Sequence, residues 1–299
     1  MVQLTIEAKS KQPTLSKLPY SLESALTKPV KDIQEKVAKH VGLSSSRIRL
    51  YSASGIVLPE NNTLADCNLN THKLYAKDLG PQIGWRTVFY IEYIGPLVIH
   101  PLIYFFSKQI YGVDFEHTKE QKIALIMAIL HYLKRELETM FVHKFSASTM
   151  PFRNVFKNSF HYWVIGGLSL AYFVYSPAAS TYTPYSDSAL KSISVFWLFC
   201  ELSNLANHIS LSNLRPKGTN VRKIPKGYGF NLVSCPNYFF ESLGWAAYAV
   251  LTKSVIAWLF FAISTAQMYI WAVKKHRRYR KDFGSSYPKS RKAMFPFIA

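Results

Sequence analysis

The sequence is poor in cysteine and lacks the familiar nucleotide-binding loops. Its 299 residues contain three cysteines, Cys67, Cys200 and Cys235. Such an odd and sparse set provides no disulfide framework and fits domains that face a reducing compartment. The sequence has no Walker loop, GxGxxG fingerprint or run of metal ligands, which argues against a P-loop or Rossmann-type site. The first residues also lack the apolar core of a signal peptide, so we expect the first apolar span to serve as the membrane signal.

Acidic residues are also scarce, because 17 Asp and Glu stand against 36 Lys and Arg, for a net charge of +19. This balance is typical of proteins that bind nucleic acid or an anionic membrane surface. Hydrophobic residues make up 49% of the chain, and long apolar stretches separated by short basic loops fill most of its second half. Crossing a bilayer takes roughly 20 apolar residues. We therefore interpret the chain as a membrane protein that does not bind nucleic acid.

The first 80 residues differ from the rest. Residues 2–8 alternate with a period of two, as a half-buried strand does. Apolar residues recur at helical spacing from Val30, and Gly42 is expected to stop that helix. Further strands are predicted at 47–51 and 73–77. This order of elements resembles the ubiquitin-like β-grasp fold, a small α+β domain of another kind being the alternative. We expect a domain over residues 1–80 and a membrane-embedded domain over 81–299.

Apolar runs in the second domain predict a multi-pass α-helical membrane bundle of about six spans. The loops after the second, fourth and sixth spans carry Lys and Arg, and the loops between them are nearly neutral. By the positive-inside rule, these basic loops and both termini are expected in the cytosol. The predicted spans are Trp85–Phe106, Gln121–Val142, Phe160–Tyr175, Ala189–Ile209, Phe230–Leu251 and Val255–Val273.

Several predicted spans carry ionisable or amide side chains. A charge at the centre of a bilayer costs at least about 2.5–3.5 kcal/mol, so such groups are expected to face a cavity lined by protein. We predict a polar cavity that opens to the cytosol and suits a ligand with phosphate groups and an apolar tail. The residues concerned are Glu92, His131, Lys134, Arg135, Glu136, Glu138, Glu201, Asn204, Asn207, His208, Asn237 and Glu241.

The last third of the chain resembles the steroid 5α-reductase superfamily. The resemblance lies in residues 204–218, 234–241 and 276–291. Residues 138–143 and 78–82 are similar to those of one branch, the very-long-chain trans-2-enoyl-CoA reductases of the fungal type. The motifs are densest in the last third, and with those at 78–82 and 138–143 the resemblance extends over essentially the whole chain.

The resemblance implies NADPH-dependent reduction of trans-2-enoyl-CoA to saturated acyl-CoA. This reaction is the last step of the very-long-chain fatty acid elongation cycle, which also supplies sphingolipid synthesis. It further implies the endoplasmic reticulum membrane as location and other elongation enzymes as partners. A steroid or polyprenol reductase, a membrane methyltransferase and a non-catalytic scaffold are the alternatives.

The resemblance also implies a set of residues that bind NADPH. Arg215 can place its guanidinium against phosphate oxygens, although such a basic residue can also serve as an orientation signal. Asn237 and Glu241 lie four residues apart, on one face of a helix, and can bind amide or ribose groups. His208 is a weaker candidate. The implied set is Arg135, Asn204, Arg215, Asn237, Glu241, His276 and Tyr279.

Three residues are expected to act on the substrate. Hydride addition to C3 of an enoyl thioester builds negative charge on the thioester oxygen, and a donor aimed at that oxygen lowers the barrier. Tyr132 and Glu92 match the family positions that contact the carbonyl group. Tyr238 is expected to donate a proton or to polarise the carbonyl. The alternatives are a paired interfacial carboxylate for Glu92 and a packing aromatic for Tyr238.

Overall fold

A computed structural model describes residues 1–67, 72–145, 148–214 and 223–298. The chain divides into two compact units. The first comprises Met1–Trp85 with Ala147–Val155, and the second comprises Arg86–Ser146 with Phe156–Ala299.

The first unit contains a four-stranded mixed sheet. Its strands are β1 (Val2–Ala8), β2 (Tyr20–Ser24), β3 (Ile48–Ser52) and β4 (Lys73–Asp78). They lie in the order β2-β1-β4-β3, with β1 antiparallel to β2 and parallel to β4, and β3 antiparallel to β4. Because side chains alternate along a strand, Leu4 and Ile6 of β1 both point into the core, where they are buried. A separate pair of short strands, β5 (Gln82–Gly84) and β6 (Thr149–Pro151), is antiparallel.

Helix α1 (Val30–Val41) covers the core of this sheet. Ile33 and Val37 lie one turn apart and are both fully buried, as the helical spacing of apolar residues predicts. Gly42 ends the helix in the left-handed conformation, with φ 75°, which glycine adopts without a steric cost. The predicted helix and its stop are therefore both present. The assignment of residues 1–80 to a separate domain stays a prediction.

The rest of the chain is mainly helical. Side chains cap several helices: Thr118 and Gln121 form a capping box at the start of α4, and Ser186 and Ser254 cap α8 and α10. The elements are α2 (Trp85–Phe105), α3 (Ser107–Tyr111), α4 (Lys119–Phe141), α5 (Asn154–Ser159), a π-helix (Phe160–Ser169), α6 (Leu170–Val174), α7 (Pro177–Ser180), α8 (Asp187–Asn213), α9 (Pro236–Thr252) and α10 (Val255–Phe283).

The core of the second unit combines aliphatic residues with buried tyrosines. His100 bonds the carbonyl oxygen of Gly166 through Nε2 at 2.9 Å and the hydroxyl of Tyr175 through Nδ1 at 2.8 Å. A carbonyl oxygen only accepts, so Nε2 carries the proton and Tyr175 donates to Nδ1. This histidine therefore satisfies a backbone carbonyl of the π-helix inside the core.

The prediction of six membrane spans is wrong. Among the described residues, two helices are long and apolar enough to cross a bilayer, Trp85–Phe105 and Val255–Ser286. They begin at the predicted starts of the first and sixth spans.

The other four predicted spans fail for identifiable reasons. Helix α4 carries Lys134, Arg135, Glu136 and Glu138 within its second half. Segment 160–175 is a ten-residue π-helix followed by a five-residue helix. Helix α9 starts only at Pro236 and has 17 residues, and α8 carries polar groups through its C-terminal half. Charges, short length or an irregular helix therefore separate these segments from the two candidate spans, although each of them contains an apolar stretch.

The two candidate spans, α2 and α10, have exposed apolar surfaces such as a membrane protein needs. On α2, Ile94, Val98 and Leu102 are exposed and lie at intervals of four residues, along one side of the helix. On α10, Leu259 and Ile263 are exposed in the same way. Large apolar side chains exposed in such rows are typical of surfaces that contact lipid or another protein.

A carboxylate ties the end of β4 to the rest of the first unit. Asp78 accepts from Arg47 through both oxygens, at 3.0 Å and 2.6 Å, from the hydroxyl of Thr14 at 2.8 Å and from the backbone N–H of Gly80 at 2.8 Å. The hydrogen bonds from Arg47 are the main reason why the pKa of Asp78 lies below its ordinary value. Because the folded state lowers this pKa, ionised Asp78 stabilises the folded state above about pH 4. This stabilisation is lost as the pH falls through the pKa of Asp78 in the folded protein.

We expect Asp78→Asn to reduce the protection of the first unit's backbone amides against hydrogen exchange at pH 7. The loss should correspond to about 1–3 kcal/mol, since Arg47 remains partly exposed. The difference from the wild type should shrink between pH 5 and pH 3, measured on the full chain. A difference that stays constant over this range would show that ionisation of Asp78 does not contribute.

Candidate functional site

Charged and amide side chains from three helices form a buried network in the second unit. The members on each helix are three or four residues apart, which places them on one helical face. We refer to this set as the charge network. It comprises His131, Lys134, Arg135 and Glu138 of α4, Glu201, Asn204 and His208 of α8, and Asn237 and Glu241 of α9.

Arg135 is the centre of one half of the network. It is 9% exposed, and its Nη1 lies 2.6 Å from Glu138 Oε2, while Nη2 donates to the hydroxyl of Tyr93 at 2.8 Å. His208 lies beside the same pair, with Nδ1 3.0 Å from Glu138 Oε1. The other ring nitrogen of His208 is 3.3 Å from Nδ2 of Asn237. Helices α2, α4, α8 and α9 are thus connected through one guanidinium and its neighbours.

Glu201 is the centre of the other half. Its Oε1 lies 2.9 Å from Nδ1 of His131, and its Oε2 lies 2.7 Å from Nζ of Lys134. Nε2 of His131 faces Oε1 of Glu241 at 3.8 Å. Asn204 donates through Nδ2 to Oε2 of Glu241 and to the carbonyl oxygen of Asn237, each at 2.9 Å. Charged groups that are buried in this way must be paired, and the network supplies those pairs.

A cavity of about 430 Å³ opens beside the network. Its wall includes Asn237, Tyr238, Tyr279, His143 and His208. Burial, followed by the charge of Arg135, lowers the pKa of His143 to about 3, so this ring is neutral at physiological pH. Five further lining side chains are cationic, which makes this basic cavity suited to an anionic ligand: Arg135, Lys144, Lys223, Lys275 and Arg278.

The residues predicted to bind the cofactor do not all lie in the same surroundings. Arg135, Asn237 and Tyr279 line the basic cavity. Asn204 and Glu241 lie in the charge network and contact Asn237 or each other.

The remaining predicted cofactor residues are placed differently. His276 lies on α10, where Nδ1 is 2.6 Å from Oγ of Ser234, and that hydroxyl is also 2.6 Å from the hydroxyl of Tyr287. Arg215 lies outside the described residues.

The three residues predicted to act on the substrate have different surroundings. Tyr238 lines the basic cavity. Tyr132 is fully buried, and its hydroxyl has no hydrogen-bond partner among the described residues. A Cβ atom on Gly166 would lie 2.9 Å from that hydroxyl, so this glycine leaves space for it. Glu92 is also buried, and its Oε1 has no hydrogen-bond partner in the described part of the chain. Tyr132 and Glu92 do not belong to the cavity wall.

Sequence reasoning noted several network residues without giving them a role. The sequence predicts Lys134, Glu138 and Glu201 only as charges that need a polar environment, and it assigns no role to Lys275. The spacing 131, 134, 135 and 138 on one helix, together with 201, 204 and 208 on another, was the available signal for two facing polar surfaces. Which surface faces which depends on helix packing that the spacing does not contain.

The second half of the chain matches a known protein family. Residues 148–299 match the family model described as 3-oxo-5-alpha-steroid 4-dehydrogenase. The fold and the match define the class: a helical oxidoreductase with its polar site between helices.

Relatives define the family more narrowly. A Schizosaccharomyces pombe protein that carries an enoyl reductase name is 48% identical over 99% of this chain and 100% of its own length. The very-long-chain enoyl-CoA reductase of Dictyostelium discoideum is 42% identical, over 93% of this chain and 94% of its own. The trans-2,3-enoyl-CoA reductase-like protein of Mus musculus is 37% identical, over 75% of this chain and 64% of its own.

The chain belongs to the very-long-chain enoyl-CoA reductase family. It is an oxidoreductase that acts on a carbon–carbon double bond with a nicotinamide cofactor. The resemblance found in the sequence is thereby confirmed.

We expect Glu138→Gln to lower the free energy of unfolding by about 3 kcal/mol, because it leaves buried Arg135 without its closest counter-charge. Thermal or denaturant unfolding of the purified protein in detergent measures the change.

Glu136→Gln is the matched control. Both carboxylate oxygens of Glu136 are buried without a hydrogen-bond partner among the described residues, so neutralising this side chain should be neutral or stabilising. Equal destabilisation by both variants would contradict a specific role of Glu138 in the charge network.

Proposed function

We propose that this chain reduces the C2=C3 double bond of trans-2-enoyl-CoA to give saturated acyl-CoA, with NADPH as reductant. The observation that carries this proposal is the basic cavity, in which five cationic side chains surround Asn237 and Tyr238. Coenzyme A and NADPH both carry several phosphates, which Lys and Arg bind by charge-assisted hydrogen bonds. The names of the relatives support the enoyl thioester as substrate.

The residues present fit a dinucleotide. Asn237 lines the basic cavity, and its Oδ1 is buried without a hydrogen-bond partner among the described residues. That oxygen can accept from a carboxamide or a ribose hydroxyl. Arg135 and Tyr279 are the further wall residues that we assign to the cofactor. Asn204 and Glu241 of the charge network are assigned to it as well. On the resemblance alone, His276 and Arg215 complete the set. When bound, the nicotinamide ring supplies a hydride for C3 of the substrate.

The remaining steps belong to side chains of this chain. Negative charge builds on the thioester oxygen as C3 is reduced, and C2 then needs a proton. Tyr238 lines the cavity and is our choice for the proton donor to C2. On the resemblance, we assign Tyr132 as the donor to the thioester oxygen. Its hydroxyl is buried, has no partner among the described residues and does not line the cavity, so this role requires the thioester to reach beyond the cavity wall. We assign Glu92 to the same oxygen, to which it donates only in its protonated form.

A second candidate is the reduction of an enone steroid or a polyprenol. The match to a family model described as a steroid dehydrogenase favours it. Both candidates use the same site and differ in the acceptor molecule. Activity on an enone steroid without activity on trans-2-hexadecenoyl-CoA would decide for the second candidate.

We further propose the endoplasmic reticulum membrane as the location, with both termini in the cytosol. The described residues contain two candidate spans, and an even number of spans supports both termini lying on the same side of the membrane. Other enzymes of fatty-acid elongation are the proposed partners, and sphingolipid synthesis the proposed use of part of the product. Protease accessibility of tags at both ends in intact microsomes would test the orientation.

We expect purified wild-type protein to oxidise NADPH with trans-2-hexadecenoyl-CoA, and Tyr238→Phe to lower kcat roughly 100- to 10,000-fold, as loss of a general acid does. Tyr132→Phe should also lower kcat, because it removes a donor to the developing oxyanion. Absorbance at the nicotinamide band follows the reaction.

Tyr269→Phe is the control, since it removes a hydroxyl from a partly buried tyrosine that packs on Phe295 and does not line the cavity. NADPH affinity should stay near the wild-type value in all three variants. Full activity of Tyr238→Phe would show that the hydroxyl of this tyrosine takes no part in the reaction.

The choice of NADPH over NADH predicts a role for the cationic wall. The double variant Lys275→Gln with Arg278→Gln should raise KM for NADPH roughly tenfold to hundredfold, because charge-assisted bonds to the 2′-phosphate are lost. KM for NADH should change far less. Arg277→Gln is the control, since this neighbouring cation is exposed and does not belong to the cavity wall. Equal changes for both cofactors would contradict 2′-phosphate recognition at this wall.

A further inference from the structure

The side-chain amide of Asn204 is held on one side by Lys134. Nζ of Lys134 lies 2.7 Å from Oδ1 of Asn204. An ammonium group only donates, so the atom facing it must be the amide oxygen. The amide nitrogen then points to the opposite side, where Glu241 Oε2 and the carbonyl oxygen of Asn237 both accept from it.

The reversed orientation of this amide would be strongly unfavourable. It would place the amide nitrogen against the ammonium of Lys134 and the amide oxygen against two acceptors. Asn204 is 1% exposed, so water cannot compensate for such contacts, and polar groups buried without a partner are costly. Lys134 and the two acceptors therefore favour the same orientation, and Lys134 holds the amide oxygen from the opposite side.

Lys134 itself is fixed by Glu201. Its Nζ lies 2.7 Å from Glu201 Oε2 and 3.4 Å from the backbone oxygen of the same residue. The other carboxylate oxygen of Glu201 is bound to His131, whose second nitrogen faces Glu241. The side chains of Lys134 and Glu201 are 15% and 9% exposed, so both are held inside the protein.

We propose that Lys134 and Glu201 are positioning residues for cofactor binding. They hold the Asn204 amide so that it fixes the Glu241 carboxylate and the first turn of α9, where Asn237 meets the basic cavity. Neither residue is part of the described cavity wall, so they act through Asn204. This inference rests on the proposed function, which assigns Asn204, Asn237 and Glu241 to NADPH.

Isothermal titration calorimetry tests the inference by measuring the Kd of the full-length protein for NADPH in detergent. Lys134→Met keeps an unbranched side chain that is one atom shorter, and it removes the charge and the donors. The Kd for NADPH should rise roughly tenfold to hundredfold, as expected when a hydrogen bond to a charged group is lost. The kcat at saturating NADPH should change far less, because the substrate-side donors are not touched. Lys134→Arg, which keeps charge and donors, should retain most of the affinity.

A thermodynamic cycle with Asn204→Ala separates positioning from general stabilisation. If Lys134 acts through Asn204, Lys134→Met should have little further effect on Kd in the Asn204→Ala background. Equal effects of Lys134→Met in both backgrounds would overturn the inference, as would wild-type Kd in Lys134→Met. Glu136→Gln, on the same helix but with no hydrogen-bond partner among the described residues, should leave Kd unchanged.

A second variant and the NADPH affinity of the wild type separate failure of this inference from misfolding and from failure of the proposed function. If Lys134→Met does not fold, Glu201→Gln replaces it, since this variant keeps the side-chain volume and removes the charge that holds Lys134. It should raise Kd in the same direction, and wild-type affinity would overturn the inference. Failure of the proposed function would look different: the wild type itself would not bind NADPH, or Asn204→Ala would leave its affinity unchanged.

Discussion

The pairing of buried charges is the constraint on which the second unit depends. Arg135, Lys134, Glu138 and Glu201 lie among apolar helices, where an unpaired charge would cost several kcal/mol. Each has an opposite charge within 2.7 Å. Arg135 and Glu138 pair within α4. The pair of Lys134 and Glu201 joins α4 to α8, and a rotation of either helix by one residue would separate these two partners. The charge network therefore selects the helix arrangement as well as stabilising it.

The same network forms part of the candidate site. Arg135, His208 and Asn237 belong both to the charge network and to the wall of the basic cavity. Tyr238 follows Asn237 on α9, so its position at the cavity depends on the same packing. If these residues bind the cofactor as proposed, the site needs no Gly-rich loop, because side chains of several helices provide the polar groups that backbone N–H groups provide in other nucleotide sites. In that case, the same few residues contribute to cofactor binding and to the stability of the bundle.

The predictions from sequence succeeded where a local pattern decides the structure. Alternation over residues 2–8, helical spacing from Val30 and the stop at Gly42 all depend on neighbours in the chain, and all are present. The starts of the helices at Trp85 and Val255 were also predicted. The six-span bundle failed because apolar length alone was counted. The charges of α4 and the π-helical segment at 160–169 interrupt two of these apolar stretches, and a count of apolar residues registers neither feature.

For the site, the residue types and the family could be predicted without the fold: a basic, apolar chain that resembles the enoyl-CoA reductases, with Arg135, Asn237, Tyr238 and Tyr279 as candidates. These candidates come from the resemblance of local motifs, which are visible in the sequence however the chain folds. Helix packing determines which of them meet at one cavity, that Tyr132 and Glu92 do not line it, and that Lys134 faces Asn204. Those contacts join residues about 70 positions apart, and they depend on how whole helices pack, which no local pattern of residues specifies.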